Sequence, residues 1–466
     1  MLPPQRRQVS FLMATTPEQM VPADHPLMQV REKIDFSFVR EETQDLYSAA
    51  HGRPAYPPEQ LFKILLLELW MNLSDVQVCQ QLHYNLLYRA FCGIGWNDPV
   101  PDDSTLVRFR ARLGGERFHR LFQRVMGQLK EQGLLSNEWA IADGTKVAAD
   151  VAVRNTLQLV REGRRRIIRE LKKSDPERAA ELESLAEPLE DGKFTDRSQL
   201  LAAEMARGRE LLERLPQEGP GEMARLKRVY RAILEGDGTA SLDDPDARWG
   251  FKKADEPYLG YKAHVLSDEQ GFVTAFTVTP AADAEQKQVG HLLQQAETLG
   301  IRSRKFAGDK AYDTQPVRHL LKERGINAFI GRRNPPRIPE GFRLKTPQQL
   351  QCPQGHVARA TRHTRSTGIQ FTFSQKLCQR CPLREGCLPA NETRKRLYYN
   401  HERARQPLGM KKAMKVRAGI ERIFGGVKKW HGYGRARYRA RDKVVIQTAL
   451  TFTVWNLKKA VKAWAS

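Results

Sequence analysis

The sequence predicts a mixed α/β protein, on three observations. Apolar residues recur at helical spacing through residues 57–125, the period shortens to two around residue 138, and strand-like and helical runs then alternate as far as residue 331. The first stretch predicts a helical N-terminal domain over residues 1–130, and the remainder a sheet-containing domain over 131–466.

The helical region opens at PPEQLFKILLLELWMN, where Pro57 and Pro58 suit a first helical turn, whose N–H groups have no intrahelical partner to lose. Ser74 is placed to cap the next helix, LSDVQVCQQLHYNLLYRAFCGI. Ser104 in DDSTLVRFRARLG caps a third, which carries Arg108, Arg110 and Arg112. Short helices with an arginine-bearing last member suit a helix-turn-helix-like DNA-binding module, and equally an ordinary helical bundle.

In EWAIADGTKVAAD, alternation puts Trp139, Ile141 and Asp143 on one strand face and Ala140 and Ala142 on the other. An acid thus stands in a strand otherwise made for burial. From about residue 155 to 235 the pattern is helical and rich in Arg, Leu and Glu, which reads as a helical hairpin inserted at 151–250. Two strand-like runs in LGYKAHVLSDEQGFVTAFTVTPA flank a turn at Ser267 to Gly271. Asp283 and Gln286 then form a capping-box pattern before the helix that ends at Gly300.

The short strand in RKFAGDKAYD finishes as Asp309 appears, and a helix, TQPVRHLLKERG, and a strand, INAFIG, follow. Residues 332–405, with their prolines, cysteines and basic residues, read as a second, loop-rich insertion. PLGMKKAMKVRAGIERIFGG and RDKVVIQTALTFTVWNLKKAVKAW predict two helices whose apolar stripes cover the sheet. Gly425 and Gly426 weaken the first of these and suggest an end before Lys428.

Composition narrows the partner. Lysine and arginine number 77 against 54 acids, a formal charge of +23 spread along all 466 residues. A net charge of roughly 2 to 8 suffices to keep a small domain in solution, so the surplus points to a polyanion. No stretch approaches the roughly 18 to 20 apolar residues of a membrane span, and MLPPQRRQVSFLMATTPEQM lacks the apolar core of a signal peptide, so a cytoplasmic protein without membrane contact is expected.

Three separated acids are candidates for metal-assisted phosphate chemistry. In-line displacement at phosphorus needs an activated attacking oxygen and a stabilised leaving oxygen, which two divalent ions about 3.5 to 4 Å apart supply. Mg²⁺ or Mn²⁺ takes oxygen ligands and keeps several waters, so a few carboxylates are enough protein. Asp143 on a strand, Asp309 at a strand end and Glu421 on a helix are suitably placed. Each also has an ordinary reading: Asp143-Gly144 as a turn, Asp309 as a helix cap, Glu421 as a solvated acid paired with Arg417. On a helix, Arg417, Glu421 and Lys428 fall within about 40 to 60° of one another, an acid flanked by two cations.

With these motifs in hand, the chain resembles the DDE transposases of bacterial insertion sequences. In the group it is most similar to, the last acid lies in Y-x2-R-x3-E-x6-K. Arg417, Glu421 and Lys428 match, Met414 stands where the tyrosine is expected, and IADGTKV and GDKAYD match the first two acids. The segment from HPLMQVREKIDFSFV to RFRARLG resembles the helical N-terminal domain of such proteins, so the resemblance spans roughly residues 24–460.

The resemblance implies a ribonuclease H-like, retroviral integrase-like core with two insertions. It further implies two Mg²⁺ ions on Asp143, Asp309 and Glu421, phosphate contacts from Arg417, Lys428 and Lys310, double-stranded DNA as partner, and a homodimer that bridges two inverted repeats. A nuclease of the same fold and a non-catalytic DNA-binding regulator are the alternatives; the regulator has no reason to keep all three acids.

Four of six cysteines cluster in residues 352–387. Cys352 in CPQGH and Cys378, Cys381 and Cys387 in CQRCPLREGC suit a structural Zn²⁺ site that staples a polar segment, with His356 an alternative to Cys387 as fourth ligand. Cys79 and Cys92, single cysteines on apolar helices, read as buried thiols. In KKWHGYGRARYRARDK, Trp430 and Tyr433 are placed either to stack on bases or to pack in the core, and Arg435, Arg437 and Arg439 to hold phosphates.

Overall fold

The computed structural model describes residues 15–47, 55–215, 221–251, 255–332, 338–362, 369–399 and 408–465. The N-terminal stretch read above for an apolar core lies, as far as residue 14, outside the described residues. The chain forms two compact units, Met1–Arg304 with Arg417–Ser466, and Lys305–Val416.

In the first unit, α1 (Pro26–Lys33), α2 (Phe38–Glu41), α3 (Pro58–Met71), α4 (Asp75–Tyr84), α5 (Leu86–Cys92) and α6 (Asp103–Glu131) precede the first strand. Pro58 opens α3, and Ser74 caps α4 in a capping box with Gln77, as expected. The cap of α6 is Asp102 instead of Ser104, because the Asp102 carboxylate accepts the Thr105 N–H at 2.7 Å and Ser104 already lies in the first turn. Near its middle α6 kinks at Gly114, whose φ of 68° favours glycine. There the Gly115 N–H donates to Asp442 at 2.9 Å, and a β-carbon at Gly115 would stand 2.6 Å from the same carboxylate.

Strand β1 (Trp139–Ala148) pairs antiparallel with β3 (Pro257–Ser267), which also pairs with β2 (Arg248–Phe251) and β4 (Val273–Pro280). Residues 139–142 are buried on both faces, so the start of β1 is not the one-sided strand that alternation suggests. The β3–β4 hairpin turns at Asp268–Gly271, near the place expected, whereas β2 was not foreseen.

Between β1 and β2 stand four helices instead of one hairpin: α7 (Thr156–Ser174), α8 (Pro176–Ala186), α9 (Arg197–Arg214) and α10 (Gly221–Glu235). They share a core of their own around Tyr230. The fully buried Arg164 pairs there with the fully buried Glu204.

Helix α11 (Val289–Thr298) follows a 3-10 turn at Glu285–Gln288. No capping box forms at Asp283, because the first helical turn starts beyond it and its N-cap is Ala284.

The second unit begins with β5 (Lys305–Gly308), α12 (Gln315–Glu323) and β6 (Asn327–Ile330), a parallel pair with a helical crossover. The segment read as loop-rich carries an antiparallel sheet, in the order β11-β10-β9-β8-β7, of β7 (Arg343–Thr346), β8 (Gln349–Gln351), β9 (Val357–Arg362), β10 (Ile369–Thr372) and β11 (Arg396–Tyr399). Its small core centres on Leu350, Ala358, Phe371 and Phe373. Two short helices, α13 (Gln375–Gln379) and α14 (Arg384–Cys387), bear Cys378 and Cys387, with Cys381 on the link between them. The strands there are three to six residues long, too short to show a period-two signal.

Helix α15 (Met410–His431) runs unbroken through Gly425 and Gly426, contrary to the expected early end. Gly426 is there because a β-carbon would stand 2.3 Å from the Trp455 ring. Helix α16 (Arg441–Trp464) packs along α3, α6 and β4. Asn456 of α16 is tied to β4 by accepting the Val273 N–H at 2.9 Å and donating to the Val273 carbonyl at 2.8 Å.

Candidate active site

Asp143 occupies the middle of β1, opposite Val265 in the register with β3, and is part-exposed between the buried Ala142 and the strand's more open second half. Glu421 stands exposed on α15, next to the buried stripe of Ile420, Ile423 and Val427 that seats the helix. Arg417, one turn before Glu421, reaches both acids: it donates to Asp143 Oδ2 at 3.0 Å and to Glu421 Oε1 at 2.7 Å. Two carboxylates 278 residues apart in sequence, from 143 to 421, therefore converge on one cation.

This arrangement is hard-oxygen chemistry around a point of positive charge, which fits the donor set a divalent ion requires. Asp143 Oδ1 accepts the Gly144 N–H at 2.8 Å, which fixes the carboxylate's orientation on the strand. The sequence places Arg417 and Glu421 on one helix face, but nothing in it signals that the guanidinium would bridge to Asp143.

In the second unit, Asp309 follows β5 directly and caps the 3-10 turn Lys310–Tyr312, accepting the Ala311 N–H at 2.7 Å. The capping role and a ligand role use different oxygens, so the first does not displace the second. Lys310 is exposed beside it. Lys428 is half-buried on α15, on the side of Arg417 and Glu421.

The other basic candidates divide sharply. Arg108 and Arg435 are well exposed, at 69% and 66%, the first against the Ser104 hydroxyl at 2.7 Å and the second paired with Asp150 at 2.9 Å. Arg112 is exposed over the Tyr47 ring.

Arg110 does not meet the expectation of a phosphate contact. It is buried, bonded to both Asp75 oxygens at 2.7 and 2.5 Å and packed on the Tyr438 ring, since an arginine in that position neutralises Asp75 and the buried Glu68. Arg437 joins the same cluster at 2.7 Å from Glu68 and is largely covered, so it is not a surface cation of the expected kind, whereas Arg439 stays exposed, 3.7 Å from Asp243. Burial pushes the Glu68 carboxyl up and Asp75 adds to this, while Arg110 and Arg437 pull it down.

The two aromatic candidates also part. Tyr433 is fully buried, its hydroxyl 2.6 Å from that of Thr448, and belongs to the core. Trp430 is 60% exposed.

Cys352, His356, Cys378, Cys381 and Cys387 line one cavity of about 420 Å³ in the second unit. All four of these cysteines are free thiols, as are the buried Cys79 and Cys92. Burial pushes the Cys387 thiol up against the opposing pull of Lys395, and Cys381, Cys378 and Cys352 push it further. The donors are of the soft type zinc prefers, though among the described residues no three His, Cys, Asp or Glu side chains stand in a metal-holding arrangement. No helix among the described residues is long and apolar enough to cross a membrane.

Comparison with known families places these features. Residues 15–112 match the family described as Transposase domain (DUF772), which covers α1 to α5 and the start of α6. Residues 225–457, half of the chain, match the family described as Transposase DDE domain, a span that includes Asp309, Arg417 and Glu421 and begins after Asp143. No solved structure matches the chain. The chain belongs to the DDE transposases, enzymes that cleave DNA and transfer its strands.

Proposed function

We propose that Asp143, Asp309 and Glu421 together hold two Mg²⁺ or Mn²⁺ ions and so perform strand cleavage and transfer at the inverted-repeat ends of a bacterial insertion sequence. The observation that carries this is the convergence of Asp143 and Glu421 on Arg417. When bound, the ions supply Lewis-acid activation of an attacking oxygen and stabilisation of the leaving one.

The chain's own residues do the rest. Arg417 holds the two carboxylates together against their mutual repulsion, and with Lys428 and Lys310 it supplies positive charge for a phosphate. Arg108, Arg112 and Arg435 extend the basic surface along duplex DNA. A core of ribonuclease H type is supported by the element order: the antiparallel strands β1, β3 and β4, then α11, β5, α12 and a parallel β6.

In this reading residues 1–130 form the DNA-binding domain and 131–466 the catalytic domain, interrupted at 151–250 and 332–405. The second insertion is stapled by zinc, a reading supported by the candidate ligands' lining of one cavity. Two copies act together on paired ends in the cytoplasm.

The test is Mg²⁺-dependent cleavage of a labelled duplex carrying the element's ends, with Asp143→Ala, Asp309→Ala and Glu421→Ala beside the unchanged protein. Loss of cleavage in all three, with DNA binding kept, is expected. Normal cleavage by any one of them overturns the assignment of that acid.

A further inference from the structure

We infer that a groove on the side of α15 turned away from Glu421 binds unpaired nucleotides of a DNA strand. This rests on the reading of the chain as an enzyme acting on DNA, and adds a strand-binding site separate from the acids.

Helical geometry separates the two surfaces. At about 100° per residue, Arg422, Gly426 and Trp430 lie roughly 140 to 220° around α15 from Arg417, with the buried stripe of Ile420, Ile423 and Val427 on one side between them. The groove encloses about 840 Å³ and lies wholly within the first unit.

Its walls hold three tryptophans from three different helices: Trp70 of α3, Trp430 of α15 and Trp455 of α16. Trp455 is fixed in orientation, since its indole N–H donates to the Gly271 carbonyl at 3.0 Å and its ring lies on the bare backbone of Gly426. Trp430 is largely exposed, with Lys429 Nζ 4.5 Å from the ring centre. At Gly425 a β-carbon would meet nothing within 4 Å, so the floor beside Trp430 is open.

The charge around these rings is one-sided. Arg422, Lys429, Lys458, Lys459 and Lys462 line the groove, while the one acid in its lining, Glu269, already accepts from the Ser136 hydroxyl and the Trp139 N–H. Lys458 donates to the Trp70 carbonyl at 2.8 Å and sits over that ring at 5.1 Å. Burial lowers both Lys458 and Lys459; Asp268 raises Lys459 against this, and Lys462 and Arg422 lower it further.

Aromatic faces interleaved with lysines are the chemistry of single-stranded nucleic acid, where bases stack and cations follow the backbone. Bases inside a duplex are already stacked and gain nothing from a tryptophan. The volume is that of a small-ligand site, which admits an unstacked base or two and excludes a double helix.

The test measures binding of labelled oligothymidylate and of a blunt random duplex to the full-length protein, without metal, for the unchanged chain, Trp430→Ala and Lys462→Glu. We expect each variant to bind the oligothymidylate roughly tenfold more weakly relative to the duplex. Both side chains are exposed, so an unaltered melting temperature verifies folding.

Equal weakening for both DNAs shows a general basic surface and overturns the proposal. So does unchanged oligothymidylate binding, whether alone or with loss of binding to phosphatidylserine vesicles. Because the assay needs no cleavage and is repeated on Asp143→Ala protein, its failure is distinct from failure of the catalytic assignment.

Discussion

Arg417 stands 3.0 Å from Asp143 and so sets a positive charge between two acids. Its second contact, to Glu421 at 2.7 Å, is mostly exposed and contributes little by itself. A cation held by ligand carboxylates competes with a metal for them. Arg417→Gln is therefore expected to bind Mn²⁺ several-fold more tightly in the absence of DNA, while cleaving DNA at least tenfold more slowly. Titration calorimetry and the cleavage assay check the two halves; weaker Mn²⁺ binding would show that the guanidinium positions the acids without competing.

The two adjacent glycines of α15 should respond oppositely to the same change. Gly426→Ala drives a methyl group into Trp455 and should lower stability by about 1 to 3 kcal/mol. Gly425→Ala meets nothing within 4 Å and should raise it by about 1 kcal/mol through helix propensity. Thermal melts of the two variants decide, and equal shifts would contradict the packing described.

Arg108 and Arg110, two residues apart, should separate binding from folding. Arg110→Met leaves Asp75 and the buried Glu68 short of a partner and should cost about 3 to 5 kcal/mol. Arg108→Ala should change stability by less than about 0.5 kcal/mol yet reduce the salt dependence of duplex binding by about one unit of slope. Urea unfolding and anisotropy at several salt concentrations provide the readings.

If zinc staples the cysteine cavity, the purified protein should carry about one zinc ion per chain, and Cys381→Ser should lose it. Chelation should then open the second unit to protease between residues 338 and 399 while α6 and α16 stay protected. Elemental analysis that finds no zinc in protein purified without chelator would remove this reading.

Acid should destabilise the first unit through the buried His264 and His431 and the half-buried His119. Burial lowers His119 and His431 to about 4 and His264 to about 3, with His291, Lys458 and Lys262 adding to the respective shifts. The folded values lie below the unfolded value near 6.5, so the stabilisation is full above that pH and is lost as pH falls towards 4. Each histidine withdraws about 1.4 kcal/mol per pH unit across that window. Urea midpoints that stay flat from pH 7 to 5 would contradict it.

The sequence by itself determined which three acids are candidates, the alternation of helix and strand, and the class of partner. These are local or summed properties: a carboxylate at the end of an apolar run, a period of two or 3.6, a net charge of +23. The motif around Glu421 was legible for the same reason, since four residues on a helix return to one face.

Tertiary structure alone decided which basic and aromatic residues face water. Arg108 and Arg110 are chemically alike and two positions apart, yet one is exposed and the other faces Asp75 across the fold. Trp430 and Tyr433 differ in the same way, and Gly426 is explained only by Trp455, nearly thirty residues on. Each outcome depends on which element packs opposite, a long-range pairing that local periodicity does not encode. The bridge from Arg417 to Asp143 is of this kind too: it exists because α15 lies against the sheet at one register, and sequence spacing says nothing about that register.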